Sequence, residues 1–120
     1  LECVFRDTVD SFEGGEEATL ALLAESHPDA IIYSMDILAA GGVRALLSKG
    51  IDIPGEVSVF GVDNSLYSVI STPSISSVDT SLSAMSAECV CMLESAMKGK
   101  VPERRIELPF SLVIRESTRK

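Results

Sequence analysis

Residues 50–64 read GIDIPGEVSVFGVDN, and this segment gives the strongest indication of the fold. Gly50 ends a helix, a proline-glycine turn follows, and the apolar run Val57–Val62 has the length of a buried strand. The strand ends at Asp63. In an open parallel α/β sheet the ligand lies in the crevice outside the carboxyl ends of the strands. The segment therefore predicts a parallel sheet with Asp63 facing a ligand.

Residues 28–36 follow the same pattern earlier in the chain. The run Ala30–Tyr33 is short and largely apolar, which predicts a fully buried strand, and Asp36 comes shortly after it. Two carboxylates at strand ends suggest one pocket. For Asp36, however, we favour a helix N-cap that accepts backbone N–H groups.

The other segments alternate between strands and helices. Apolar residues recur at helical spacing after Asp36 and again over residues 81–98, where they predict an amphipathic helix. We also expect strands at residues 1–5, 74–78 and 106–114 and a well-buried helix over residues 16–26. This order predicts a mostly parallel sheet with helices on both faces. A doubly wound unit normally opens with a strand and a helix before such a series, so we expect a chain truncated at its N-terminal side.

Composition and charge exclude several classes of function. The chain has 120 residues, 46% of them hydrophobic, and a mean hydropathy of +0.28, which suits one globular domain. Its net charge of −8 has the same sign as a phosphate backbone, so we expect no nucleic-acid binding by this chain. No apolar run approaches the roughly 20 residues that span a bilayer, and we expect no membrane contact.

The three cysteines indicate neither a disulfide framework nor a metal site. Cys89 and Cys91 lie two apart in a predicted helix, so they point to different faces, and no histidine stands at a metal-ligand spacing from them. We expect no metal and no cofactor. The cysteines are interpreted as small buried apolar side chains in a reducing cytosol.

Four motifs together resemble the C-terminal part of the ligand-binding region in the LacI/GalR family of bacterial transcriptional repressors. They are PDAII at 28–32 leading to Asp36, the segment 50–64, PSISSV at 73–78, and the ending LP at 108–109 with VIREST at 113–118. The resemblance extends from about Gly14 to Thr118. Each motif alone is weak, but four in the right order at the right spacing are strong.

The resemblance implies both a fold and a function. Proteins of this family join a helix-turn-helix head to two lobes of a type I periplasmic-binding-protein-like fold, and an effector bound between the lobes changes operator affinity. Residues 1–79 and 105–120 would form one lobe, and the helix over 81–98 would pack in the absent N-terminal lobe. We therefore expect a cytoplasmic homodimer that binds a sugar-like or nucleoside-like effector and contacts DNA only through the absent head.

The resemblance also assigns candidate ligand-binding residues. Asp63 matches the family's effector-contacting aspartate, and a carboxylate can accept paired hydrogen bonds from sugar hydroxyls or a purine N–H edge. Thr80 and Leu82 match positions that line the cleft where the chain crosses between lobes. Met35 stands where the family commonly has asparagine, which removes a polar group from the site.

Dimerisation in this family uses two segments, which correspond here to residues 37–49 and 65–72. The expected interface residues are Leu38, Gly42, Leu46, Leu66, Tyr67 and Ile70. The second segment is too apolar for a free loop, and an apolar patch in a connection often marks an interface. These side chains could equally tuck under their own sheet.

Two other functions are considered. An enzyme built on Asp36 and Asp63 would need clustered acids and a lysine at a strand end, and neither is present, so we expect no catalytic residues. A periplasmic-type sugar-binding receptor of the same fold class is the alternative function. The ending REST at 115–118 and the unpaired cysteines favour the cytosolic regulator.

Overall fold

A computed structural model describes residues 3–100 and 105–118 of the chain. Within these ranges the helices and strands alternate along most of the chain. In order they are α1 (Phe12–Glu25), β1 (Ala30–Ile32), α2 (Asp36–Ser48), β2 (Ser58–Val62), α3 (Leu66–Ile70), β3 (Ser76–Asp79), α4 (Leu82–Met97) and β4 (Ser111–Val113).

The four strands form one sheet in the order β1-β2-β3-β4. β1, β2 and β3 run parallel, with Ile31 opposite Val59 and Gly61 opposite Ser77, while β4 pairs antiparallel with β3. Parallel neighbours need crossover connections, and α2 and α3 provide them. The predicted α/β fold with a mostly parallel sheet is confirmed.

The core lies between α2 and the sheet. Leu46 of α2, Val59 of β2 and Ile75 just before β3 are each 0% exposed, and Leu38 and Val43 belong to the same cluster. Full burial of an aliphatic side chain of this size contributes roughly 1.5–3 kcal/mol. Packing between α2 and the sheet therefore contributes much of the hydrophobic stabilisation that holds the strands in place.

Two glycines allow α1 and α2 to pack with their backbones in contact. A Cβ added to Gly15 would lie 2.1 Å from the carbonyl oxygen of Leu38, and one added to Gly41 would lie 1.9 Å from the carbonyl oxygen of Phe12. No side chain fits at these separations. Any larger residue at either position would push the two helices apart.

Tyr33 is buried beneath α1 and α2 and has a satisfied hydroxyl. Thr19 Oγ1 donates to the carbonyl oxygen of Gly15 at 2.6 Å, so the 2.7 Å hydrogen bond between the two side chains takes its proton from Tyr33. Burial raises the pKa of Tyr33 to about 12, although the hydrogen bond to Thr19 partly offsets this rise. Gly42 lies against the ring, because an added Cβ there would be 2.0 Å from the phenol oxygen.

Residues 115–118 hold the amino ends of β2 and β3 together. Ser117 Oγ donates to the carbonyl oxygen of Val59 at 2.6 Å and accepts from the N–H of Ser76 at 2.8 Å. The backbone of Ser117 also accepts from Val59 N–H at 2.8 Å and donates to the carbonyl oxygen of Ser74 at 2.9 Å. This fully buried serine thus replaces the strand pairing that β2 and β3 lack at this end.

Several predicted boundaries differ from the structure. α1 begins at Phe12, not at residue 16, because the hydroxyl of Ser11 accepts from Gly14 N–H at 3.0 Å and caps the helix. The connection after β2 contains α3, whose five residues are too few to give a periodic pattern. Of the strand predicted over residues 1–5, residues 3–5 form no strand, and residues 1 and 2 lie outside the described residues.

The predicted burial is wrong in three places. β1 lies at the edge of the sheet, and Ile32 is 77% exposed, so this strand is not fully buried. α1 buries only one face, because its buried residues are limited to Gly14, Gly15 and Thr19. The three cysteines, Cys3, Cys89 and Cys91, are all exposed.

α4 forms the predicted amphipathic helix but has no buried residue. Its exposed apolar side chains are Leu82, Met85, Val90, Leu93 and Met97. Nothing among the described residues covers this face. The described helices include none that is long and apolar enough to cross a membrane.

Candidate functional site

The carboxyl ends of β1, β2 and β3 meet at one edge of the sheet, and the predicted ligand-binding residues lie there. Met35 follows β1, Asp63 follows β2, and Thr80 follows β3 directly before the turn into α4, whose first residue is Leu82. Met35 and Thr80 are half-buried, whereas Asp63 and Leu82 are exposed. The parallel arrangement thus brings the four residues to the same edge, as the sequence predicts.

Asp63 occupies an unusual backbone conformation at the end of β2. Its φ is 98° and that of Asn64 is 49°, so two successive residues have positive φ. Aspartate and asparagine tolerate this region better than other residues with a side chain. The N–H of Asp63 donates to the carbonyl oxygen of Val78 at 2.9 Å, but its exposed carboxylate contacts no donor among the described residues. The turn therefore presents an open carboxylate to solvent.

Asp36 is not the helix N-cap that the sequence predicts. Met35 occupies the N-cap of α2, and Asp36 is the first helical residue, with 1% of its surface exposed. One carboxylate oxygen accepts from Ser77 Oγ at 2.7 Å, and the other accepts from Ser65 N–H at 2.6 Å. The buried carboxylate therefore joins α2 to β3 and to the turn that carries Asp63.

Asn64 is a second organising residue that the sequence pattern did not identify. Its N–H donates to Ser77 Oγ at 3.0 Å, and its side-chain Oδ1 accepts from the guanidinium of Arg115 at 2.5 Å. Its Nδ2 donates to Asp79 Oδ2 at 3.1 Å. A signal was present in the sequence, because an asparagine directly after a strand often hydrogen-bonds to nearby groups through its side chain. Its partners could not be read from the sequence.

The chain passes from β3 to α4 through a turn held by the side chains on either side of Thr80. Asp79 Oδ1 accepts from Ser81 N–H at 2.8 Å, and Ser81 Oγ donates to the carbonyl oxygen of Pro109 at 2.9 Å. Ser81 has a φ of 55° and immediately precedes α4. The segment that enters α4 is therefore hydrogen-bonded to the segment that leads into β4.

The predicted interface residues divide into two groups. Leu38, Gly42 and Leu46 are buried within the chain's own core, so they present no surface to a partner and their prediction as interface residues is wrong. The helical spacing placed them correctly on one face of α2, but that face packs on the sheet.

The residues predicted on the second segment are exposed. Leu66, Tyr67 and Ile70 on α3 are 70%, 42% and 63% exposed. They do not tuck under the sheet. Beside them lies a groove of ≈ 530 Å³, lined by Phe12, Ala40, Val43, Arg44, Leu47, Ser48, Ser71 and Thr72.

Among the described residues, the charged groups near the site are engaged in hydrogen bonds, with the exception of Asp63. The guanidinium of Arg115 is occupied by the carbonyl oxygen of Ile75 at 2.8 Å and by Asn64. Asp36 is buried with both oxygens engaged, which leaves Asp63 as the open carboxylate at this edge. Among residues 3–100 and 105–118, no group of three His, Cys, Asp or Glu side chains could hold a metal ion.

Comparison with known proteins gives consistent matches along almost the whole chain. The model of a periplasmic binding protein-like domain matches residues 2–118. The HTH-type transcriptional regulator DegA of Bacillus subtilis (strain 168) is 31% identical over 118 residues, which are 98% of this chain and 35% of that protein. The chain therefore spans about a third of the length of this curated relative.

Two solved structures show the same fold at similar sequence identity. The dimeric Lac repressor with an 11-residue C-terminal deletion has a TM-score of 0.85 at 27% identity, covering 90% of this chain and 40% of that one. The complex of the transcriptional regulator CelR with cellobiose has a TM-score of 0.84 at 26% identity, covering 92% and 34%.

Proposed function

Since this chain belongs to the periplasmic binding protein-like family of the LacI-type transcriptional regulators, we propose that it forms the effector-sensing and dimerisation part of such a regulator. A small ligand binds beside Asp63, and a helix-turn-helix head outside this chain binds the operator. The open carboxylate of Asp63 at the carboxyl edge of the sheet carries the proposal. The relatives are named as regulators and not as enzymes, which agrees with a binding role.

The proposed ligand is sugar-like or nucleoside-like and offers hydrogen-bond donors to the site. Asp63 can accept two such bonds, whereas the cation of Arg115 is already engaged and offers little to an anion. Met35, half-buried after β1, would add a polarizable apolar contact at the same edge of the sheet. The similarity to a regulator solved with cellobiose supports a hydroxyl-rich ligand.

The proposed dimer uses the exposed face of α3 and the groove beside it. Leu66, Tyr67 and Ile70 would bury apolar surface against a second copy, and the groove adds Arg44 and Leu47 from α2. Similarity to a dimeric repressor supports this arrangement.

The apolar face of α4 is proposed to pack in the second lobe, so that residues 1–79 and 105–120 form one lobe and α4 belongs to the other. An exposed apolar stripe along α4, which has no buried residue, supports a missing neighbour. The regulator is proposed to act in the cytoplasm, where its operator DNA lies. Thr80 and Leu82 then line the cleft at the crossing between lobes.

The experiment compares two exposed acids in the complete regulator. A thermal-shift screen of sugars and nucleosides first identifies a ligand, and its Kd is then measured for Asp63→Asn and for Asp29→Asn. The asparagine at position 63 tolerates the positive φ, so the change keeps the turn and removes the charge and one of the two acceptor oxygens. We expect a roughly ten- to hundredfold weaker Kd for Asp63→Asn.

Asp29 is the matched control because it is exposed at the amino end of β1, away from the proposed cleft. Its substitution should leave the Kd unchanged. Equal Kd values for the parent and Asp63→Asn would refute the assignment of the ligand site.

A further inference from the structure

A continuous chain of hydrogen bonds connects the turn that carries Asp63 to the start of α4. It begins at Asn64, whose Oδ1 accepts from Arg115 at 2.5 Å and whose Nδ2 donates to Asp79 at 3.1 Å. The second oxygen of Asp79 accepts from the N–H of Ser81 at 2.8 Å. Ser81 is the residue at the N-cap of α4. The side chains of Asn64 and Asp79 therefore connect the turn that carries Asp63 to Ser81, directly before α4.

The same chain of bonds extends to the segment that returns to the sheet. Ser81 Oγ donates to the carbonyl oxygen of Pro109 at 2.9 Å, just before β4 begins. Asn64 and Ser81 both have positive φ, with values of 49° and 55°. Such conformations persist where the surroundings hold them. The hydrogen bonds between Asn64, Asp79 and Ser81 supply those surroundings at both ends.

We propose that Asn64 and Asp79 are positioning residues that hold the Asp63 turn and the start of α4 in one arrangement. A ligand that engages Asp63 then also changes the freedom of α4 relative to the sheet. The proposal rests on the proposed role of Asp63 as a ligand contact. In this role Asn64 and Asp79 would couple ligand binding at Asp63 to the segment where the chain crosses between the lobes.

The arrangement depends on one amide and one carboxylate in a fixed order. Asp79 uses both oxygens as acceptors, so it needs a donor at position 64, while Arg115 needs an acceptor there. An amide at position 64 meets both demands at once when position 79 is a carboxylate. A carboxylate at both positions would place like charges together, and an amide at both would lose one acceptor.

This dependence allows a rescue experiment by exchanging the two groups. Asn64→Asp alone puts a carboxylate against Asp79, and Asp79→Asn alone removes one of its two acceptor oxygens. With both changes, the carboxylate at position 64 accepts from Arg115 and from the new amide, whose own oxygen still accepts from Ser81 N–H. Every hydrogen bond of this series is then restored. Only the bond between positions 64 and 79 has its donor and acceptor exchanged.

The readout is amide hydrogen exchange by NMR in the complete regulator without effector. The amides of Asp63 and Ser65 report on the turn, and those of Ser81 and Met85 report on the start of α4. Each single substitution should accelerate exchange in both groups by roughly three- to tenfold, because each breaks the link between them. The double substitution should return both groups to within about twofold of the parent.

The control is Ser86→Ala, which removes the 2.9 Å hydrogen bond from Ser86 Oγ to the carbonyl oxygen of Leu82 inside α4. It should change exchange in α4 alone and leave Asp63 and Ser65 unchanged. The proposal is overturned if the effects of the single substitutions multiply in the double variant, or if each changes only its own segment.

If Asn64→Asp alone does not fold, recovery of the folded spectrum in the double variant supports the coupling, and failure to recover overturns it. No effector enters this experiment. Its outcome is therefore independent of whether Asp63→Asn weakens effector binding.

Discussion

Replacing Asp36 should cost far more stability than the loss of an ordinary helix cap. Asp36→Ala leaves the hydroxyl of Ser77 and the N–H of Ser65 without their charged acceptor. Hydrogen bonds to a charged group contribute about 1.5–3 kcal/mol each, so the two together amount to roughly 3–6 kcal/mol. Removing the buried charge relieves part of its desolvation cost. We therefore expect Asp36→Ala to lower the free energy of unfolding by about 3 kcal/mol.

Asp36→Asn should cost less, at about 1–2 kcal/mol, because the amide oxygen can still accept from Ser65 while the amide group faces Ser77. The assay is urea denaturation followed by circular dichroism, with all variants at one protein concentration because self-association would shift the apparent stability. Asp29→Ala, which changes an exposed acid, should stay within about 0.5 kcal/mol of the parent. A solvent-exposed cap would cost only about 1 kcal/mol on truncation to alanine. A value that small for Asp36→Ala would refute the buried-link interpretation.

Three further predictions follow from burial and exposure. Leu46→Ala should lower the free energy of unfolding by about 2–5 kcal/mol, while Leu47→Ala, at a neighbouring residue that is 47% exposed, should cost much less in the same denaturation assay. Tyr33 should ionise near pH 12 in an absorbance titration, and because its folded pKa is raised, the stability it contributes should be present below pH 10 and lost as the pH rises towards 12. Tyr33→Phe should remove this loss. Ile70→Asp should weaken dimerisation of the complete regulator in sedimentation equilibrium, whereas Leu112→Asp, also exposed but on β4, should not.

The parts of the fold that could be predicted from sequence depend on local patterns. β2 was evident because an apolar run stands between a helix-ending glycine and a strand-end acid, and α4 because its apolar residues repeat at three and four. β1 misled the prediction, since a short apolar run has the same composition at the edge of a sheet as at its centre. The interface residues predicted on α2 differ from the structure for a similar reason. An apolar helix face can pack on the sheet or on a partner, and the sequence pattern is the same in both cases.

The candidate site could be predicted only where one residue acts alone. Asp63 stands at a strand end, and its position follows from β2 itself. The roles of Asp36 and Asn64 depend on partners at Ser77 and Arg115, which lie 41 and 51 residues further along the chain. Spacing carries no information about such partners, because the intervening strands and helices decide which side chains meet.

The position of Ser117 between Val59 and Ser76 also has a consequence for synthesis of the chain. Two hydrogen bonds of β2 depend on a residue that is made 58 positions later. While the ribosome is still translating that interval, the buried backbone of Val59 lacks its partners, and the parallel sheet cannot reach its final pairing. The sheet should therefore complete its folding only after residue 117 has left the exit tunnel. Until then the nascent chain exposes unpaired strand edges, which are prone to aggregation.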